Sequence, residues 1–336
     1  MAQTAGQHAD LDDVVEVAKA VGDRLRASIL RVLSDGSYSV TELCHLFQIP
    51  QPALSHHLKV LLLANLVAKR REGNNVYYRR CTEPDDGLRQ RIFETVDGTP
   101  LATNLEERAA EVHAERSERS NAFFAENAHR FADQQALICE ADVYVPAITE
   151  LLDHAGVDEG PIIEVGPGGG QLLAALAGNF DDLTGIDSSS TMLAQAAERL
   201  EGLPNVKLRR KDFTELPAIR RYRAVIAAMV VHHLASPQRF FRHASRILRH
   251  GGLLIVAELD RHEQEWVTQA CGDLWLGFEP GELQRWATQA GLELVESQYL
   301  AQKNGFQIQI HGYARNDAQP QLGKRTRHIE KEDTDD

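Results

Sequence analysis

The sequence predicts a multidomain chain: a small, basic, all-α unit finished by a β-hairpin, then a larger acidic α/β unit on a mostly parallel sheet. Three observations predict it. Charge is unevenly placed: the 336 residues hold 36 Lys and Arg against 49 Asp and Glu, a net −13, yet Asp23 to Thr82 contains nine basic and four acidic residues, so the remainder is strongly acidic. The hydrophobic pattern changes near Pro161, from helical stripes to short apolar runs separated by helical stretches. A glycine cluster, Gly166-Pro167-Gly168-Gly169-Gly170, directly follows the first of those runs, where backbone without side chains lets a ligand come close.

Composition sets the bounds. The length fits two or three domains, and 43% hydrophobic content supports real cores. No stretch approaches 18 apolar residues, so no membrane span is expected, and the opening MAQTAGQHADLDD has neither the basic start nor the apolar core of a secretory signal. Cys44, Cys81, Cys139 and Cys271 lie far apart, so neither a disulfide scaffold nor a metal site is expected, and the default setting is a reducing cytoplasm.

The elements follow in order. Apolar residues at 11, 14, 15, 18 and 21 form a helical stripe; a second helix is expected over 24–33, ending at the turn-like Ser34-Asp35-Gly36-Ser37, and a third over 40–47, capped by Ser39 or Thr41. A fourth spans 51–64, with Pro52 in its first turn, where a missing N–H costs nothing. Two β-prone arms then flank Gly73-Asn74-Asn75 as a hairpin. Residues 88–152 read as helical, broken near Gly98-Thr99-Pro100, with the charged stretch 105–120 a connecting helix of solvated face. Beyond Pro161, strands are expected at 162–166, 183–187, 206–210, 224–229 and 253–259, with helices at 170–178, 190–201 and 237–249. Such alternation makes a parallel sheet covered by helices. The runs 294–300 and 306–314 add an antiparallel edge pair, and the polar stretch after Ala314 reads as a disordered tail.

Short helices followed by a hairpin make a winged helix-turn-helix, whose recognition helix enters the major groove. In 51–64, Leu54, Leu58, Leu61 and Leu62 suit the core. Gln51, Ala53, Ser55, His56 and Lys59 are then left for bases or phosphates, and Arg70, Arg71, Arg79 and Arg80 of the hairpin for flanking phosphates. Ser55-His56-His57-Leu58-Lys59-x-Leu61, then Leu66-Val67 and the Arg-rich hairpin, resemble the ArsR/SmtB family of bacterial repressors over about Asp23 to Arg80. The resemblance implies a homodimer on an inverted-repeat operator in double-stranded DNA. Two positions depart from it. Cys44-His45-Leu46 keeps only the first cysteine of the family's Cys-x-Cys, and one thiol makes no thiolate site. Asn65 stands where the family commonly has Gly, and Asn tolerates a left-handed backbone better than most residues.

The glycine cluster fits neither G-x-G-x-x-G, whose third glycine would fall on Gln171 or Leu173, nor a phosphate loop ending in Gly-Lys-Ser/Thr. Glu164-x-Gly166-x-Gly168-x-Gly170 resembles motif I of class I S-adenosylmethionine (SAM) dependent methyltransferases, a Rossmann-like fold, and further features follow in that family's order. The resemblance implies that Glu164 lies near the amino-acid end of the cofactor and that Asp187 accepts from the ribose hydroxyls. Ser188 and Met192 follow, with Met192 toward the adenine pocket; Asp212 and Phe213 lie at the adenine, and Met229, His232 and His233 beside the sulfonium, where a histidine could serve as catalytic base. The chain then divides into a DNA-binding and dimerisation domain (11–98), a helical linker (99–125), a SAM-binding methyltransferase-like domain (126–314) and a tail (315–336). The expected function is a repressor responding to SAM or S-adenosylhomocysteine (SAH) as its small-molecule ligand, similar fusions being associated with methionine-cycle genes. The alternative is a SAM-dependent small-molecule methyltransferase with a regulatory DNA-binding domain.

Overall fold

The structure, a computed structural model, describes residues 10–72, 75–81 and 87–315; the hairpin tip at Gly73-Asn74 and the expected tail beyond Arg315 lie outside the described residues. The N-terminal domain comprises α1 (Leu11–Val21), α2 (Arg24–Val32), α3 (Val40–Phe47), α4 (Gln51–Leu63) and the strands β1 (Tyr38–Ser39), β2 (Val67–Glu72) and β3 (Asn75–Arg80). Asp23 caps α2 by accepting the Arg26 N–H at 3.0 Å. At α3 the Ser39 hydroxyl and the Glu42 carboxylate satisfy each other's backbone N–H, the reciprocal arrangement that fixes a helix start. Asn65 takes φ 51°, so the turn into β2 has the left-handed residue its sequence allowed. Tyr38 and Ser39 pair with Tyr78 and Tyr77, a third strand too short for any sequence pattern to announce.

Next come α5 (Gly87–Asp97) and α6 (Thr103–Ala136). The expected boundary at 126 falls inside α6, a single 34-residue helix. Its first half supplies Ala109 and Val112 to the N-terminal core, and its second half packs Ala128 and Phe131 against Met192. The linker is therefore structural to both domains rather than a solvated spacer.

The C-terminal domain holds α7 (Ala141–His154), β4 (Ile162–Val165), α8 (Gln171–Leu176), β5 (Leu183–Asp187), α9 (Ser190–Arg199), β6 (Val206–Arg210), β7 (Tyr222–Ala228), α10 (Pro237–Ile247), β8 (Leu248–Leu259), α11 (Trp266–Ala270), α12 (Pro280–Gln289), β9 (Leu292–Ala301) and β10 (Gln307–Arg315). The seven strands run β6-β5-β4-β7-β8-β10-β9. The first five are parallel, and β10 is antiparallel to both β8 and β9. Both faces are covered, with apolar clusters on either side of the sheet, as near-continuous runs such as Ile162-Ile163 and Leu253–Leu259 require. No described helix is long and apolar enough to cross a membrane.

Candidate functional site

The strand order reverses between β4 and β7, and in open sheets of this kind ligands bind in the crevice at the carboxyl ends of such a pair. There β4 runs into the glycine loop. Gly166, Gly168 and Gly170 have φ of 64°, 52° and 77°, a region natural for glycine and strained for other residues. A Cβ on Gly166 would stand 2.4 Å from Val230, whereas nothing lies within 4 Å of one on Gly168. The loop is thus packed on one side and open to a cleft of about 1320 Å³, its mouth included.

Nearly all of the cofactor residues expected from sequence converge on this cleft: Glu164, Gly166, Gly168, Asp187, Ser188, Met192, Asp212, Phe213 and Met229. Gly170 does not line it; it caps α8 and faces Leu200, so its requirement for glycine is conformational. Asp187 accepts the Ser189 N–H at 2.7 Å, and burial pushes its carboxyl up to about 6. Glu164 is buried, its Oε2 has no partner among the described residues, and burial pushes its pKa up to about 8. Asp212 accepts from both the N–H and the hydroxyl of Thr214 at 2.7 Å, fixing the turn that presents Phe213. Met229 holds φ 54°, a left-handed residue turning the chain out of β7 at the cleft's edge. An orphaned buried carboxylate beside an open glycine cradle fits the amino-acid end of an adenosyl sulfur compound.

The two histidines separate. His233 lines the cleft, its ring 5.0 Å from Phe124; burial and the neighbouring His232 hold its pKa well below the ordinary value. His232 does not reach the cleft, which corrects its expected place beside the reacting centre. Its Nδ1 donates to Glu258 and its backbone N–H to the same carboxylate at 3.1 Å. Burial alone would lower its pKa, but Glu258 and Asp273 outweigh it and hold it at about 9.

One wall of the cleft, built by α6, is absent from the expectations drawn from sequence. Asn121, Phe124 and Phe131 of α6 line the cleft opposite the glycine loop, and Ser188 donates to Asn121 Oδ1 at 2.7 Å. One turn back, Arg116 is buried in the seam between domains. It forks onto Glu42 of α3 at 2.7 and 2.8 Å, and donates to Ser37 O at 2.9 Å and to Ala235 O of the cleft wall at 3.0 Å. The Arg116 guanidinium outweighs burial and holds the Glu42 carboxyl below its ordinary value. His113 hydrogen-bonds Tyr38 at 3.0 Å. Helical spacing among 113, 116, 117, 120 and 124 was the available signal, masked by the charges between them.

On the face expected to meet DNA, Gln51, Ala53, Ser55, His56 and Lys59 are all exposed along α4, with Leu54, Leu58 and Leu61 buried behind them. Arg71 is exposed, 3.8 Å from Glu265. Arg70 and Arg79 depart from expectation. Arg70 is 3% exposed, pairs with Glu72, reaches Glu282 at 2.8 Å and donates to Gly277 O, while Arg79 also pairs with Glu282. A guanidinium fork matched to two buried carboxylates and a carbonyl is turned away from any duplex. Lys69, exposed on the hairpin, is a cation the sequence reading passed over.

Comparisons with known proteins agree with both halves. Residues 23–69 match the family described as bacterial regulatory protein, arsR family, and residues 163–256 match a methyltransferase domain. The chain is 37% identical over 83 residues to the HTH-type transcriptional regulator KmtR of Mycobacterium tuberculosis, covering 25% of this chain and 62% of that protein. It is 41% identical over 69 residues to an uncharacterized HTH-type transcriptional regulator of Methanocaldococcus jannaschii, covering 20% of this chain and 78% of that one. In fold it is similar to the Burkholderia thailandensis 1,6-didemethyltoxoflavin-N1-methyltransferase, solved with S-adenosylhomocysteine, at TM-score 0.50 and 19% identity over 65% of this chain and 93% of that one.

Proposed function

The chain belongs to the arsR family of bacterial regulators and joins that DNA-binding domain to a methyltransferase domain; from this we propose a homodimeric repressor whose hold on an inverted-repeat operator responds to SAM or SAH, in a cytoplasmic setting. The observation that carries the reading is α6, which lines the ligand cleft through Asn121, Phe124 and Phe131 and grips α3 through Arg116 and Glu42. α3 leads directly into α4, the recognition helix. Glu164 and Asp187 would hold the polar ends of the ligand, and the glycine loop would admit its chain. Contact with Asn121 and Phe124 then biases where α6 rests, and hence the tilt of α4 in each protomer. Regulation requires that the ligand bind the free and operator-bound forms unequally. Control of methionine-cycle genes is the corresponding biological role.

The test is an operator titration run with SAM and SAH in parallel, wild type beside Asp187→Ala. Ligand should shift operator affinity at least fivefold in the wild type and not in the variant; indifference of the wild type to both compounds contradicts the reading. A second reading, a SAM-dependent small-molecule methyltransferase with a regulatory head, is favoured by His233, a buried imidazole on the cleft wall that burial and the neighbouring His232 keep neutral and able to accept a proton from an acceptor. Steady production of SAH from SAM with an added acceptor would select it.

A further inference from the structure

Behind the cleft wall, the adjacent histidines meet a carboxylate from a distant loop. The His232 Nε2 lies 3.9 Å from Asp273 Oδ1, and the His233 Nδ1 lies 3.8 Å from the same oxygen. One donor atom from each of the three residues falls within 4.8 Å of the others, and all three side chains are buried. Neither oxygen of Asp273 has a hydrogen-bond partner among the described residues. A buried carboxylate left so is costly unless something else engages it.

We propose that His232, His233 and Asp273 form a binding site for a divalent transition-metal ion at the inner wall of the cleft. The chemistry of the donor set supports this. Two imidazoles and one carboxylate suit zinc, cobalt or nickel rather than magnesium or calcium, and three protein ligands leave a position open to a further group. A tetrahedral ion about 2.0–2.1 Å from each donor holds them about 3.3 Å apart, so the 3.8 and 3.9 Å separations close with small side-chain rotations. The surroundings are those of a metal ligand. The far nitrogen of His232, Nδ1, donates to Glu258, which also accepts the Leu259 N–H at 2.7 Å; a carboxylate fixing the tautomer of a ligating histidine is the usual outer partner. The contact between His233 Nδ1 and the Gly272 carbonyl, 3.4 Å, is long and is the one a metal would replace. His233 reaches the cleft, which gives the ion its way in. The site does not depend on the cleft taking an adenosyl ligand.

The experiment uses the tag-free full chain, stripped with chelator, reloaded with zinc or cobalt and passed through gel filtration. About one equivalent of metal per chain should be retained, with the visible d–d absorption of a cobalt–imidazole site. His233→Gln and Asp273→Asn should each weaken retention at least tenfold, and Glu258→Gln by about 10–100-fold without abolishing it. Cys44→Ser, on the other domain, should leave it unchanged. Wild-type protein retaining less than about a tenth of an equivalent would overturn the proposal. So would equal retention by His233→Gln, the variant nearest the surface and least disruptive to folding, with circular dichroism confirming a native fold.

Discussion

Buried carboxylates are treated in opposite ways at two places in this molecule. Against the wing, Glu72 and Glu282 are fully engaged: Glu72 accepts from Arg70 and from the Leu276 N–H at 2.8 Å, and Glu282 accepts from Arg70, Arg79 and the Glu279 N–H. Phe278 and Trp275 close over the cluster, the first under Arg70 and the second edge-on to Tyr77. In and behind the cleft, Glu164 Oε2 and both oxygens of Asp273 have no hydrogen-bond partner among the described residues. Satisfied charge fixes one domain on the other. Unsatisfied carboxyl oxygens mark where we propose that ligands bind. The difference also explains why the surplus of five positive charges between Asp23 and Thr82 overstates the pull of that stretch on DNA, since Arg70 and Arg79 are neutralised from within.

The comparison can be broken where the effect is largest, at the wing. Glu282→Ala strands Arg70 in a buried site, and loss of one partner there should cost about 3–5 kcal/mol, read as a lowered denaturant midpoint; a loss under about 1 kcal/mol would show that the cluster fixes nothing. Glu164→Gln should do the reverse. Because burial raises the Glu164 pKa from 4.5 to about 8, the ligand-free folded state binds the extra proton between those values, and its stability declines as pH rises through that window. The variant, having no proton to lose, should be the more stable at pH 8 by at least about 1 kcal/mol, a melting shift of ~2–4 °C. The gain should vanish below about pH 4.5, while ligand affinity drops. A pH-independent difference would remove Glu164 as its source.

Arg116→Lys keeps the charge but loses the fork. It should shrink the ligand effect on operator affinity about fivefold or more while apo operator binding stays within about twofold. Smallest is the contrast on the DNA face. Lys59→Ala should lower the salt slope of operator binding by about one, as for one phosphate contact, and Arg70→Met should leave that slope unchanged. Equal slopes for Lys59→Ala and wild type would take Lys59 out of the interface.

Much of this was legible in sequence. Four N-terminal helices, the hairpin arms and all seven strands of the larger sheet are where periodicity put them, because each is set by a local stripe or run. The cleft residues from Glu164 to Met229 converged because strand ends in a doubly wound sheet meet at one edge. What stayed hidden depends on contacts across long separations. Arg70 reads as a DNA cation until Glu282, 212 residues on, is seen opposite it. Asp273 has no neighbour in sequence that marks it. The charged exterior of α6 concealed a helix that belongs to both domains.

Thermodynamic reciprocity supplies the most direct measurement. If α6 couples cleft to reading head, then operator must alter ligand affinity by the same factor as ligand alters operator affinity. Calorimetric titration of SAH into the free protein and into the protein saturated with operator duplex should give dissociation constants differing at least fivefold. Identical constants, with ligand bound tightly in both cases, would contradict the account.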